Sequence, residues 1–307
     1  MSVVSAEGLS KSYAGARAVQ DLSFSVEPGE TLGLIGPNGA GKSSTIKMVL
    51  DFIRPDAGRI SVLGGAMDES RKNRVGYLPE EKGLYQDLPA IDLMVYLASL
   101  KGVDRKTARI RAGDMLDRFQ IAGGGSKRIR ELSKGMAQMV QVAVTIVHEP
   151  ELVILDEPFS GLDPVNTELL KGIVADLRAR GAAVVLSTHQ MNQVEELCDR
   201  VLMIDRGRAV LYGSVHETTA RYRRRSVRVE VESSAAGVEL GALPGVAVAR
   251  PAGHGVELEL DATHTPMQVL DALRERGVDL AKFEVVTPSL HEVFLKLAGG
   301  TAGGTAE

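Results

Sequence analysis

Gly36-Pro37-Asn38-Gly39-Ala40-Gly41-Lys42-Ser43 decides the reading of this chain: a short apolar run, Glu30 to Ile35, leads into it, and a helical pattern from Gly41 to Ile53 leaves it. Two glycines, a lysine and a serine at these offsets, set between a strand and a helix, predict a phosphate-binding loop. Glycine lets the backbone fold tightly with no side chain in the way, so the N–H groups from Gly39 to Ser43 can surround an anion at the positive end of the helix. In that arrangement Lys42 reaches the β- and γ-phosphates of a nucleotide and the Ser43 hydroxyl ligates Mg²⁺. A flexible Gly-Pro-Asn-Gly turn would need neither the lysine nor the serine.

Downstream, the apolar run Leu152 to Leu155 ends in Asp156-Glu157. A carboxylate at the end of a buried strand emerges at the sheet edge where α/β folds bind ligands. Asp156 is thus expected to hold Mg²⁺ through water, and Glu157, on the opposite side of the chain, to polarise an attacking water; a plain charged strand end is the alternative. His189 follows another apolar strand, Val184 to Thr188, and should arrive at the same edge, as a structural histidine or as a group touching the γ-phosphate. In Leu132-Ser133-Lys134-Gly135-Met136, Ser133 reads as a helix N-cap, with Gly135 beside it and free N–H groups at a helix start.

Outward from these stretches the order of elements is α/β. Ala18 to Val26 and Glu30 to Ile35 read as strands around a Pro28-Gly29 turn. Leu88 to Lys101 and Asp104 to Phe119 carry helical spacing with no strand between them, closed by Gly123-Gly124-Gly125, and predict a helical subdomain. A helix from Ser133 to about His148, the strand at Leu152, a helix after Pro164, the strand Ala183 to Ser187 and a hairpin at Asp205-Arg206-Gly207 complete a parallel-sheet pattern. Composition shifts at the arginine cluster, Arg221 to Arg228, read as a solvated linker or a contact for an anionic surface. Beyond it, alternation over Ser226 to Glu232 and Gly255 to Leu260, a Thr265-Pro266 helix start running to Arg276, a strand near Phe283 to Val286 and a helix from Ser289 to Leu297 predict a small α+β unit. The Gly-Ala-Thr tail is expected to be disordered.

The 307 residues exceed what one core usually fills, and 44% hydrophobic content is ample for two. No run of about 18 apolar residues is present, nor a basic segment followed by an apolar one at the N-terminus, so neither a membrane span nor a secretory signal is expected. A single cysteine, Cys198, leaves no intramolecular disulfide and no cysteine-built metal site, and reads as a small core filler in a reducing compartment. A net charge of −4 argues against a general nucleic-acid binder.

These motifs together resemble the ATP-binding subunits of ABC transporters over about residues 3 to 217. The resemblance implies a P-loop NTPase cassette: a RecA-like parallel-sheet core, an antiparallel β subdomain and a helical subdomain at about 86–135, within a domain of residues 1–220. An accessory domain at 221–298 and a tail at 299–307 would follow. It implies ATP and Mg²⁺ as ligands, with Gly36, Pro37, Asn38, Gly39, Ala40, Gly41, Lys42, Ser43 and Ser44 around the phosphates. Tyr13 would stack on adenine, unless it only packs. Ser43, Asp156 and Glu80 would serve the metal; Lys42, Glu157 and His189 are the expected catalytic set. Ser133 and Gly135 would cap the γ-phosphate held by a second subunit, and Ser160 to Asp163 resembles the loop joining two such sites. The partners implied are an integral-membrane permease and a second copy, or a related subunit, packed head to tail at the inner face of the cell membrane, with no nucleic acid. A soluble ATPase acting on ribosome or nucleic acid, and a nucleotide-sensing regulatory module, are the other readings.

Two departures stand out. Tyr77-Leu78-Pro79-Glu80 resembles a loop that usually offers glutamine; Glu80 adds a negative charge beside a triphosphate, so its pull on metal and its repulsion of phosphate oppose each other. Lys134 and Met136 also differ from the usual Gly and Gln, while Ser133 and Gly135 are intact. The stretch Pro288 to Leu295 and the wording Leu78 to Glu81 resemble exporter ATPases of the sodium-efflux and drug-resistance classes.

Overall fold

The computed structural model describes residues 1–81, 83–121, 123, 125–221, 226–232, 239–286 and 288–294. Among the segments singled out above, Gly124, residues 222–225 of the arginine cluster, 295–297 and the tail lie outside these. Two compact units divide the chain, Met1–Val215 and His216–Glu307.

In the first unit, β1 (Val4–Tyr13), β2 (Ala16–Val26) and β4 (Ala57–Val62) form an antiparallel sheet in the order β2-β1-β4. A six-stranded sheet runs β5-β6-β7-β3-β8-β9, where β3 is Thr31–Ile35, β5 Val75–Leu78, β6 Leu152–Asp156, β7 Ala183–Thr188, β8 Arg200–Asp205 and β9 Arg208–Ser214. All its neighbours are parallel except β8 and β9, which form the hairpin expected at Asp205-Arg206-Gly207. Every residue of β3, β6 and β7 is buried, which is why these strands read as continuous apolar runs rather than alternating ones. One hydrophobic cluster joins the two sheets, with Leu9, Leu22 and Val26 from the first and Leu32, Ile154 and Val185 from the second.

Several of the helices begin where a side chain caps them. Helix α3 (Ala90–Leu100) follows Pro89; α4 (Arg105–Arg118) starts at Asp104, whose carboxylate accepts from Lys106 N at 3.1 Å and Thr107 N at 3.0 Å. Helix α5 (Lys134–Ile146) starts at Ser133, which accepts from Met136 N, and α6 (Pro164–Ala179) at Asp163, which accepts from Asn166 N. Helix α1 (Lys42–Val49) is shorter than the pattern to Ile53 suggests. Asp51 turns left-handed at φ 58°, and Phe52 N returns to Lys47 O, so the last turn closes there. A four-residue helix, α2 (Glu69–Lys72), and α7 (Met191–Leu197) complete this unit, while α8 (Val215–Arg221) begins at its last residue.

The second unit holds a four-stranded antiparallel sheet, β11-β12-β10-β13, built from β10 (Ser226–Val231), β11 (Val246–Ala252), β12 (Gly255–Leu260) and β13 (Leu280–Val286). Helix α9 (Pro266–Glu275) covers one face, burying Val269 and Leu273 against Val227, Val229 and Leu258. Its start is a capping box: Thr265 Oγ1 accepts from Gln268 N, and Gln268 Oε1 accepts from Thr265 N.

Candidate functional site

The loop between β3 and α1 is held in place by close backbone packing. Gly41 has φ 113°, and a Cβ there would lie 2.4 Å from Ala18 O; a Cβ on Gly36, at φ 153°, would lie 2.1 Å from Ile204 O. Only glycine satisfies both the dihedral and the approach. The β8–β9 hairpin supports the loop from below, with Gly207 N donating to Ala40 O at 2.8 Å and Gln20 N donating to Gly207 O at 2.8 Å. Lys42 is buried, and its Nζ donates to Gly36 O at 2.7 Å and Pro37 O at 3.3 Å, so the ammonium closes over its own loop.

A cavity of about 410 Å³ opens on this loop, lined by Asn38 to Ser44 and by Ala18, Glu80, Asp156, Glu157, Ser160 and His189. Asp156, the last residue of β6, is buried, and its carboxyl is pushed above the ordinary range, first by burial and then by the Glu80 and Glu157 carboxylates; Ser187 and Lys42 pull the other way. Glu157 sits left-handed at φ 49°, its N–H donating to Ser187 O at 2.9 Å. That places its side chain, 9% exposed, inward: Thr188 Oγ1 donates to Glu157 Oε2 at 3.3 Å, and His189 Nδ1 lies 3.0 Å from Glu157 Oε1. His189 itself is 60% exposed at the cavity rim.

The structure therefore brings Lys42, Ser43, Ser44, Glu80, Asp156, Glu157 and His189 together. Tyr13 and the pair Ser133 and Gly135 do not line this cavity. Tyr13 is exposed at the end of β1 with Lys11 Nζ 5.9 Å from its ring centre. Ser133 is exposed at the tip of α5, and a Cβ on Gly135 would meet Asn166 Nδ2 at 3.1 Å. The same helix reaches back to the cavity's loops: Gln138 Nε2 donates to Pro158 O at 2.6 Å and Gln141 Nε2 to Glu81 O at 3.4 Å. Sequence reading missed Ala18 as a lining residue and Gly207 as a support, and placed Ser160 only in a loop joining two sites. The turn at Gly207 was visible, but its contact with Ala40 is made across the fold.

The donor set suits a hard cation: a serine hydroxyl and two carboxylates, all oxygen, with Asp156 held in a setting that lacks a nearby compensating charge other than Lys42. Backbone N–H groups at the start of α1 beside a lysine suit phosphate.

Comparison with known proteins agrees with this geometry. The ABC transporter family model matches residues 19–160, and that of the ATP-binding protein DrrA1-3-like C-terminal domain matches 213–298. The chain is 35% identical to the uncharacterised ABC transporter ATP-binding protein YhaQ of Bacillus subtilis (strain 168), over 95% of this chain and 97% of that one. It is 30% identical to the daunorubicin/doxorubicin resistance ATP-binding protein DrrA of Streptomyces peucetius, over 97% and 93%. Among solved structures, an ATP-binding subunit of an ABC transporter superposes with a TM-score of 0.67 at 31% identity, covering 72% of this chain and 93% of that one. With a phosphate loop, a carboxylate pair at the end of a buried strand and this likeness along nearly its whole length, the chain belongs to the ATP-binding, ATP-hydrolysing subunits of ABC transporters.

Proposed function

We propose that this subunit powers an exporter through head-to-tail pairing of two copies, or of this chain and a close relative, around two ATP molecules. The observation that carries the reading is the separation of the two half-sites. Lys42, Ser43, Asp156, Glu157 and His189 share one cavity, while Ser133 stands exposed outside it, where it is free to meet another subunit's nucleotide. Backbone N–H groups from Gly39 to Ser43 would hold the β-phosphate, and Lys42 would leave its loop carbonyls for the β- and γ-oxygens. Tyr13 would stack on the adenine.

Ser43, Asp156 and Glu80 would hold Mg²⁺, which draws negative charge from the phosphate oxygens when bound. Glu157 would take a proton from the attacking water as its oxygen bonds to the γ-phosphorus. The bond from that phosphorus to the β–γ bridging oxygen breaks, and ADP leaves with the electron pair. His189, oriented by Glu157, would touch the γ-phosphate and register its loss. With ADP and phosphate in place of ATP the interface loses its shared anion, and the halves separate.

Among the described residues no helix is long and apolar enough to cross a membrane, so the path for cargo would be a separate permease. Docking of such a partner is supported by an apolar cleft of about 280 Å³ beside β5, the strand that leads to Glu80; Phe52 (62% exposed) and Leu100 (59% exposed) stand on its rim with Met67, Tyr77 and Leu97. The subunit would then lie on the inner face of the cell membrane. Likeness to a drug-resistance ATP-binding protein favours export.

Glu157→Gln tests the assignment. ATP should stay bound and the dimer persist, while turnover falls by orders of magnitude; unchanged turnover would remove Glu157 from the role of base.

A further inference from the structure

The two outer strands of the second unit's sheet differ in how they treat a further neighbour. β11 carries Pro251, which has no N–H to offer, and its pairing with β12 slips between Val246 and Val248. Proline and irregular pairing are common means by which an edge strand refuses a partner. β13 has neither over its main length: its pairing with β10 runs in register from Lys282 opposite Glu230 to Val286 opposite Ser226, the one shift falling before Lys282. Ala281, Lys282, Glu284 and Val285 are exposed. The N–H and C=O groups of alternate residues along this strand point away from β10.

The charges on β13 are ordered around one residue. Phe283 lies opposite Val229 and packs on the core under α9, so Lys282 and Glu284 flank it on the other face, where Lys282 Nζ and Glu284 Oε2 lie 2.7 Å apart. A two-fold axis through Phe283, perpendicular to the sheet, would lay β13 antiparallel on a copy of itself. Lys282 would then face Glu284 of the other copy, twice, and Phe283 would face its counterpart. Centring the axis on Glu284 or on Lys282 instead puts like charges opposite, and a centre between residues is forbidden because opposite residues must share a face. The pattern therefore favours one register. We propose that β13 pairs with β13 of a second copy of this chain, so that the two sheets run into one and the C-terminal unit is a nucleotide-independent dimerisation module. This contact uses no residue of the nucleotide cavity, and it goes beyond the ATP-dependent association proposed above.

Sedimentation velocity on the full-length chain without nucleotide tests it. The wild type should form dimers. Lys282→Glu and Glu284→Lys, each placing like charges across the strand pair, should weaken the dimer by about tenfold or more. Mixing the two variants should restore association as a heterodimer, since every charged pair between the two β13 strands is then opposite in sign, and Lys282→Glu/Glu284→Lys in one chain should dimerise by itself; the like charges that the variants set against Glu230 and Arg228 on β10 are the same alone and mixed. A wild type that stays monomeric without nucleotide, or variants that dimerise alone as well as they do mixed, would overturn the proposal. The ATP-dependent dimer of Glu157→Gln is read separately, so either association can fail without the other.

Discussion

His148, just beyond α5, shows how a single side chain sets a pH limit on the first unit. Its Nε2 lies 3.2 Å from Val75 O, its Nδ1 is buried with no hydrogen-bond partner, and Lys101, whose Nζ donates to Lys72 O at 2.6 Å, adds a positive charge nearby. Burial first, and Lys101 second, press the imidazole down to about 4. Above pH 6.5 the ring is neutral in folded and unfolded chains alike, and its contribution is complete. Between pH 6.5 and about 4 the unfolded chain takes up a proton that the folded one refuses, so stability falls by about 3 kcal/mol in all; below that both are protonated and the loss ends. Urea unfolding at pH 7, 6 and 5 should show this slope, and His148→Gln should flatten it. An unchanged slope would place the titration elsewhere. Tyr77, facing the same cleft, is pushed up to about 12 by burial and stays neutral throughout.

Helix α5 is the element that ties the exposed Ser133 tip to the loops of the cavity. Gln138 is buried and donates to the carbonyl of Pro158, the residue after Glu157. Gln138→Ala would leave that buried carbonyl short of a donor, at a cost of about 1–3 kcal/mol, and loosen the segment that fixes Glu157. Turnover should fall more than affinity for a fluorescent nucleotide does; equal losses in both would mean the loop does not depend on this bond. The start of α5 was legible in the sequence because Ser133 caps it locally, as Asp104 and Thr265 do for α4 and α9. Strand β1 was not legible: its register slips between Ala6 and Leu9, Leu9 and Lys11, and Lys11 and Ser12, which breaks the two-residue alternation that identifies a strand. The end of α1 was missed for a similar reason, since an aspartate in a left-handed turn carries none of the usual glycine signal. In the site, Asp156 and His189 were readable because one ends and the other directly follows a continuous apolar strand, and Lys42 because of the glycine pattern that precedes it. The seat of Gly41 on Ala18 was not, because it joins segments far apart in sequence.

At the scale of the molecule, each unit has its own hydrophobic core, one joining two sheets and the other closed by α9. The proposed catalysis nevertheless asks for two copies, since Ser133 does not line the cavity of its own chain. Hydrolysis by the isolated first unit, residues 1–215, should thus rise with the square of protein concentration when dilute, and steady-state rates over a dilution series would show it. A strictly linear dependence would mean one copy suffices. Helix α5 spans the distance between the two parts of the site. About 12 Å of helix separates Ser133 from Gln141, whose amide holds Glu81 O beside Glu80. In the proposed pairing, a neighbour pressing on the tip would tilt a lever that rests on the home chain's own acidic loop, and what is felt at one nucleotide would be handed mechanically to the other.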